Sequence, residues 1–110
     1  MPIPGKPGHR PPGHRPGYRP GRPGGGWGWN GRRWHGGRWT WPSGYHYRRW
    51  TVGGILPALF LAQTYYFADY AQLGFEAPPW GYQWVRYGPD LLLVNIRSGQ
   101  IMDVEYGVFY

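Results

Sequence analysis

The clearest alternation of apolar and polar side chains lies in the last third of the chain. From Tyr82 to Tyr87, successive side chains fall on opposite faces with the period of two that a β-strand requires. Gly88-Pro89-Asp90 interrupts this strand, and Leu91 to Arg97 follows as a mostly apolar segment typical of a strand covered on both faces. Ser98-Gly99 then supplies the small residues of a tight hairpin turn. The pattern predicts two antiparallel strands and the turn into a third.

The third predicted strand begins at Gln100. Ile101, Asp103 and Glu105 alternate there with apolar positions, which predicts a solvated face opposite a buried one. The fold class is therefore mainly β, a small antiparallel β-meander with one or two short helical turns. Its predicted core consists of Trp84, Val85, Leu92, Val94, Ile96, Met102 and Val104.

The residues before the meander predict short elements. Pro57 permits a short helix beginning near it, within the apolar run Ile55 to Ala62. That run is far shorter than the ~20 residues needed to cross a membrane, so we expect no transmembrane segment. Tyr65-Tyr66-Phe67 predicts a short edge strand. Asp69 to Leu73 predicts one helical turn, capped by the Asp69 side chain and closed by Gly74.

The N-terminal part of the chain has a different composition. Residues 4–24 repeat Pro-Gly-His-Arg-Pro with variations, and proline and glycine there leave few apolar side chains to offset the entropy cost of folding. We expect this part to lack regular secondary structure and to favour polyproline II. The predicted organisation is a low-complexity basic arm over residues 1–44 and a β domain over residues 45–110.

Charge is divided unevenly between the two halves. Residues 1–50 carry ten of the twelve basic residues, all four His and no acidic residue. Residues 51–110 carry Arg86 and Arg97 against five acidic residues, so the net charge of +7 belongs to the arm. An arm rich in Arg and Trp suits anionic polymers such as lipopolysaccharide or nucleic acid. Because any anionic polymer would satisfy these contacts, we do not expect specific nucleic-acid recognition.

Catalytic chemistry finds little support in the sequence. The chain has no Cys, which excludes disulfides, thiolate zinc sites and cysteine nucleophiles, and residues 51–110 contain no His. Asp103 and Glu105 could form a carboxylate pair, but solvated positions on an amphipathic strand are the simpler interpretation. We therefore expect a binding protein and not an enzyme.

Several motifs in the second half carry a family resemblance. The most specific is Pro-Pro-x-Gly-x-x-Trp-Val-Arg, from Pro78 to Arg86, followed by the apolar strand and the glycine-containing hairpin. Over roughly residues 45–107 the chain resembles the RcnB family of periplasmic nickel/cobalt homeostasis proteins. The other residues that carry the resemblance are Arg49-Trp50-Thr51-Val52-Gly53, Leu56-Pro57, Tyr66, Asp69-Tyr70, Gly74, Asp90 to Val94 and Ser98-Gly99-Gln100-Ile101.

The resemblance implies a secreted, non-enzymatic small β domain behind a leader peptide and a low-complexity basic linker. This chain departs from the pattern in two places. No apolar leader segment follows Met1, so we expect a mature periplasmic or extracellular chain whose leader has been removed. Ala58 to Ala62 is apolar where the family tends to be more polar, which raises the prospect of self-association.

The four histidines are the candidate metal ligands. Nickel and cobalt favour imidazole, and His9, His14, His35 and His46 are the only imidazoles in the chain. One interpretation is weak capture of Ni²⁺ or Co²⁺ by the arm. The other is that His only alternates with Tyr and Arg in a cationic repeat, since His9 and His14 stand where Tyr18 stands in the next unit.

Self-assembly is a further hypothesis. A domain of ~60 residues is only marginally stable by itself, and a basic arm complements the acidic domain of a second copy. Such a head-to-tail contact would propagate as a filament unless it closed into a ring. Three functions stay open: an accessory role in metal homeostasis or envelope binding, a homopolymer, and non-specific binding of anionic polymers. The predicted arm interface consists of Trp27, Trp29, Trp34, Trp39, Trp41, Arg32, Arg33, Arg38, Leu59, Phe60 and Leu61.

Overall fold

The computed structural model describes residues 27–110 and contains a three-stranded antiparallel sheet. The strands are β1 (Tyr82–Tyr87), β2 (Asp90–Asn95) and β3 (Ile101–Glu105), in the spatial order β1-β2-β3. The predicted β-meander is confirmed, because each strand pairs with the next one in sequence. Trp84 lies opposite Leu93, and Leu92 lies opposite Val104.

A β-bulge changes the pattern of faces on β3. Leu93 pairs with Asp103 and Val94 pairs with Ile101, so Met102 is an extra residue in the ladder. Ile101 therefore packs in the same cluster as Val104, whereas Met102 packs against the other face of the sheet. The predicted separation of a solvated and a buried face on β3 is wrong.

Each face of the sheet has its own apolar cluster. On one face, Val85 and Leu92 pack with Trp50, Leu56 and Phe60. The opposite face carries a second cluster, consisting of Trp27, Leu73, Phe75, Trp84, Leu91, Leu93, Val108 and Phe109. The sheet therefore lies between two layers of irregular chain. These layers bury both faces of a sheet that has only three strands.

Of the predicted core residues, one lies at the surface. Ile96 is 36% exposed because β2 ends one residue earlier. The side chain of Asn95 accepts hydrogen bonds from the backbone N–H groups of Arg97 and Ser98, which turns the chain out of the sheet. Met102 is half-buried, and the remaining predicted core residues are buried: Trp84, Val85, Leu92, Val94 and Val104.

Helical structure in the described part of the chain is limited to three 3-10 turns, Ala58–Leu61, Gln63–Tyr65 and Tyr70–Leu73. The first follows Pro57, as the sequence predicts. The last ends at Gly74, which adopts the left-handed conformation with φ 83°, but the Asp69 side chain does not cap it. The predicted edge strand shrinks to one antiparallel bridge between Tyr66 and Val85, because the second turn already includes Tyr65.

The arm packs against the domain of its own chain from Trp27 onward. Trp27 is 0% exposed, and its carbonyl accepts a hydrogen bond from the Glu76 backbone N–H. Farther along, Trp34 forms a parallel bridge with Phe109 near the C-terminus. Between residues 27 and 44 the structure contains no helix or strand beyond that bridge. The predicted polyproline II bias of residues 4–24 falls outside the described residues.

Within residues 27–110, no helix has the length and apolar character needed to cross a membrane. The division of the chain at residue 44 stays a prediction.

Candidate functional site

Arg86 joins the arm to the sheet. It projects from β1 and donates hydrogen bonds to three backbone carbonyls: Nε to Gly88 at 2.9 Å, Nη1 to Gly36 at 2.5 Å and Nη2 to Gly37 at 3.4 Å. The guanidinium also lies 4.8 Å from the ring centre of Phe109. Burial lowers the pKa of Arg86, because removal of water disfavours its charged form.

Gly36 is required for this arrangement. A Cβ at residue 36 would lie 2.7 Å from Cζ of Arg86, closer than two such atoms can approach. The glycine therefore permits the arm to lie directly on the guanidinium of Arg86.

A groove of about 440 Å³ opens beside Arg86, between the arm and the segment before β1. We call it the arm-sheet groove. The arm forms one side, the segment from Thr64 to Phe67 forms the other, and β1 contributes Arg86. Its lining residues are Arg38, Trp39, Thr40, Thr64, Tyr65, Tyr66, Phe67 and Arg86.

The chemistry of the groove combines cations, hydroxyl groups and aromatic rings. Arg38, Thr40 and Thr64 are exposed, so their polar groups face solvent. The aromatic side is held in place by ring contacts: Trp39 lies 5.2 Å from Trp41 and 5.7 Å from Tyr65, centre to centre. The groove is therefore an aromatic surface with positive charge, and the arrangement suits binding more than proton transfer.

A second set of cations lies on aromatic rings elsewhere on the surface. The guanidinium of Arg48 stands 4.2 Å from the ring of Trp50, and that of Arg49 stands 3.6 Å from the ring of Tyr106. These cation–π contacts fix the segment that joins the arm to the domain.

Tyr47 is fixed close to these cations. Its hydroxyl donates a hydrogen bond of 2.7 Å to Oδ2 of Asp90. Burial, followed by that hydrogen bond, raises the pKa of Tyr47 to about 12. The phenol therefore remains a hydrogen-bond donor at neutral pH, while Oδ1 of Asp90 accepts from the Gly107 backbone N–H.

The histidines do not form a preorganised metal site in residues 27–110. No group of three or more potential ligands among His, Asp and Glu occurs in this part of the chain. The ring of His35 lies 5.3 Å from that of Tyr110, and His46 is exposed and accepts a hydrogen bond only through its backbone carbonyl, from Tyr87. His9 and His14 lie outside the described residues. Metal binding by the four histidines stays a prediction.

The carboxylates of β3 are buried, contrary to expectation. Asp103 is 1% exposed and Glu105 is fully buried, because their partners on β2, Leu93 and Leu91, belong to the cluster that Trp27 helps to cover. Burial raises the pKa of Asp103 to about 6, while hydrogen bonding with the Glu105 side chain and the Val104 backbone opposes the rise. Burying a charged carboxylate is costly, so the two acids of β3 cannot be read as the solvated positions of an amphipathic strand.

The predicted arm interface lies largely within the chain itself. Trp27, Trp29 and Trp34 pack in the cluster around Trp84, and Trp39 and Trp41 pack in the opposite one.

Phe60 is also in the core and is fully buried, so it is not available to a neighbouring copy as predicted. Leu59 is exposed and Leu61 is half-buried. Of the predicted arginines, Arg33 donates to the carbonyl of Gly107, Arg38 lines the arm-sheet groove, and Arg32 is exposed.

Sequence reasoning did not find the groove. Thr40, Thr64 and the Tyr65 to Phe67 segment carry no periodic pattern, and they meet only in the folded chain. In the sequence, Arg86 stands out only as the last residue of the Pro-Pro-x-Gly-x-x-Trp-Val-Arg motif. The only available signal was that Arg86 is a cation within a strand, a position that requires local acceptors or a ligand.

Comparison with known proteins supports the resemblance seen in the sequence. Residues 53–103 match the family model RcnB, described as nickel/cobalt transporter regulator. The resemblance to the RcnB family is confirmed. One similar solved structure shares 28% identity over 53% of this chain and 70% of that chain, with a TM-score of 0.49. No curated protein matches the chain.

Proposed function

We propose that this chain is an extracytoplasmic, non-enzymatic accessory protein in nickel and cobalt homeostasis. The observation that carries the proposal is the match to the RcnB regulator family over residues 53–103, which include β1, β2 and the first three residues of β3. The chemistry of the surface supports binding, because its exposed features are arginines and aromatic rings.

The same surface argues for regulation through contact with another molecule. Because residues 27–110 present no cluster of three metal ligands, a preformed nickel site there does not fit the structure. Any direct metal capture would depend on the arm, whose three histidines are His9, His14 and His35. We therefore propose that the folded domain acts on a partner protein or an envelope polymer, and that the arm supplies whatever metal affinity the chain has.

Complementation tests this function. Cells that lack the gene should show altered nickel and cobalt content, restored when the chain is directed to the periplasm and not when it is retained in the cytoplasm. Zinc content, measured in the same cells, should not change. Normal nickel and cobalt in the deletion strain would reject the homeostasis role, and rescue from the cytoplasm would reject the proposed location.

Metal titration tests the role of the arm. The full chain and a variant with His9, His14 and His35 replaced by Ala, which keeps only His46, should differ in affinity for Ni²⁺ and Co²⁺. Affinity of the full chain should fall below about pH 6, as imidazoles with a pKa near ~6.5 protonate. Equal affinity of the two chains would refute capture by the arm.

Self-assembly is a second proposal, favoured by how the arm docks. Trp34 donates its backbone N–H to Val108 and accepts from Tyr110, so the arm pairs with the C-terminal segment as an added strand. Added strands of this kind can be exchanged between identical copies. Sedimentation of the full chain across a hundredfold concentration range tests this, and a constant monomer mass would exclude it.

A further inference from the structure

We propose that the arm-sheet groove is a binding site for an acidic saccharide, in which Arg38 and Arg86 bind the carboxylate and the aromatic side contacts the sugar ring. This inference is independent of the proposed role in metal homeostasis, because it depends only on the groove.

Arg86 retains capacity to bind a ligand. A guanidinium has five N–H donors, and three of those on Arg86 are used by the carbonyls of Gly36, Gly37 and Gly88. Its lowered pKa has burial as its cause, and no carboxylate of the described residues contributes to it. The charge is thus held by carbonyls and rings, and an anion at the groove would be its first partner of opposite charge.

Arg38 provides the second cation of the groove. It is exposed and lines the groove from the arm, whereas Arg86 lines it from the sheet. Two arginines that line one opening suit a carboxylate, which accepts hydrogen bonds through both oxygens.

The rest of the lining favours a sugar over a nucleic-acid base. Four hydroxyl side chains line the groove, those of Thr40, Thr64, Tyr65 and Tyr66, and they match the alternating donors and acceptors of a saccharide. The rings of Trp39 and Tyr65 are tilted by 53° to each other and so do not form a track of parallel platforms for successive bases. A volume of about 440 Å³ is within the range of small-ligand sites and accommodates a short saccharide.

Titration of trigalacturonic acid into the full chain, followed by calorimetry, tests the proposal. Arg38→Gln should weaken binding about tenfold, the effect of losing one charge-assisted hydrogen bond. Arg97→Gln is the matched control, because Arg97 is also exposed, lies outside the groove and carries the same charge. It should leave the affinity unchanged. Equal weakening by both variants would show non-specific attraction and overturn the site.

The hydroxyl contribution has its own pair of variants. Thr64→Val should weaken binding several-fold, and Thr51→Val, an exposed threonine outside the groove, should not. The neutral trisaccharide maltotriose should bind at least tenfold more weakly than trigalacturonic acid. Absence of trigalacturonate binding, equal binding of the neutral sugar, or tighter binding of oligo(dT) that Arg38→Gln abolishes would each overturn the proposal. The last result would assign the groove to nucleic acid.

Discussion

Trp84, a residue of β1, packs against the arm. Its ring is fully buried, stands edge-on to Trp27 at 6.1 Å and lies 4.6 Å from Phe75. Its indole Nε1 donates a hydrogen bond of 2.9 Å to the carbonyl of Glu76. One side chain therefore connects β1 with the arm and with the segment that precedes the sheet.

Truncation of this side chain should be severely destabilising. Trp84→Ala should lower the free energy of unfolding by ~3–5 kcal/mol through the cavity and the lost contacts. Urea unfolding would measure it. Trp80→Ala is the control, because Trp80 is 56% exposed and should change stability by less than ~0.5 kcal/mol. Similar losses in the two variants would contradict the packing described for Trp84.

Asp103 gives the fold a pH dependence of unusual sign. Its pKa is raised from 3.8 to about 6 in the folded chain, so the folded state holds a proton that the unfolded state releases. Stability is then fully present below about pH 4 and declines as the pH rises to about 6. A shift of that size corresponds to about 3 kcal/mol as an upper value.

Asp103→Asn should abolish this decline, since an amide of the same shape does not ionise. Unfolding midpoints measured from pH 4 to pH 8 would show the native chain losing stability as the pH rises and the variant losing less. Asp69→Asn, at an exposed carboxylate, should follow the native curve. If Asp103→Asn lost as much stability as the native chain, the pH dependence would come from another titratable group.

At the scale of elements, the strands were predictable and their faces were not. The alternation from Tyr82 to Tyr87 coincides with β1, because a regular strand has a side-chain period of two. The bulge at Met102 has no sequence signal of its own, so the pattern places Ile101 on the same face as Asp103. The pattern also predicts a solvated face for Asp103 and Glu105, because it does not show that the Trp27 cluster covers that face. Asn95 ended β2 before Ile96 through hydrogen bonds that strand propensity does not describe.

The candidate site was less predictable than the sheet. Arg38 was expected at an interface and Arg86 belonged to the family motif, yet their meeting depends on the course of the arm across the sheet. That course follows from contacts distant in sequence, such as Arg86 with Gly36. Local patterns carry no information about such contacts, and composition alone predicted an arm without regular structure.

Just after Trp27, the arm crosses the domain at a contact between two glycines, Gly28 and Gly74. A Cβ at Gly28 would lie 2.5 Å from the carbonyl oxygen of Gly74, and a Cβ at Gly74 would lie 2.6 Å from that of Gly28. Gly28 also has a positive φ of 88°. The atoms that would clash belong to the backbone, so no side chain can rotate away to relieve the clash.

Gly28→Ala should therefore destabilise the fold more than Gly31→Ala does. Gly31 has a similar φ of 82° but nothing within 4 Å of its Cβ position, so it reports conformational strain alone, about 1 kcal/mol. Gly28→Ala should add about 1–3 kcal/mol for the steric clash. Thermal unfolding of both variants would measure the difference, and equal losses would mean that the arm does not cross closely at Gly74.

At the scale of the whole molecule, the arm from Trp27 onward is part of the folded unit. It supplies Trp27 to one cluster and has Trp39 and Trp41 packed against the other, on the two faces of a sheet with only three strands. So small a sheet buries too little apolar surface by itself to be stable. The arm that composition marks as low-complexity therefore provides, in its second half, the cover that the sheet requires.

Two shortened chains separate this role of the arm from the role given to its N-terminal repeat. A chain beginning at Trp27 should unfold cooperatively with nearly the stability of the full chain, because it keeps all the contacts described. A chain beginning at Tyr45 loses Trp27 and with it the cover over Trp84, a loss of at least ~3–5 kcal/mol that approaches the whole stability of a small domain. It should bind a dye specific for exposed apolar surface and show no sharp unfolding transition. Cooperative unfolding of the chain from Tyr45, with the stability of the chain from Trp27, would show that the arm only lies on a domain that folds without it.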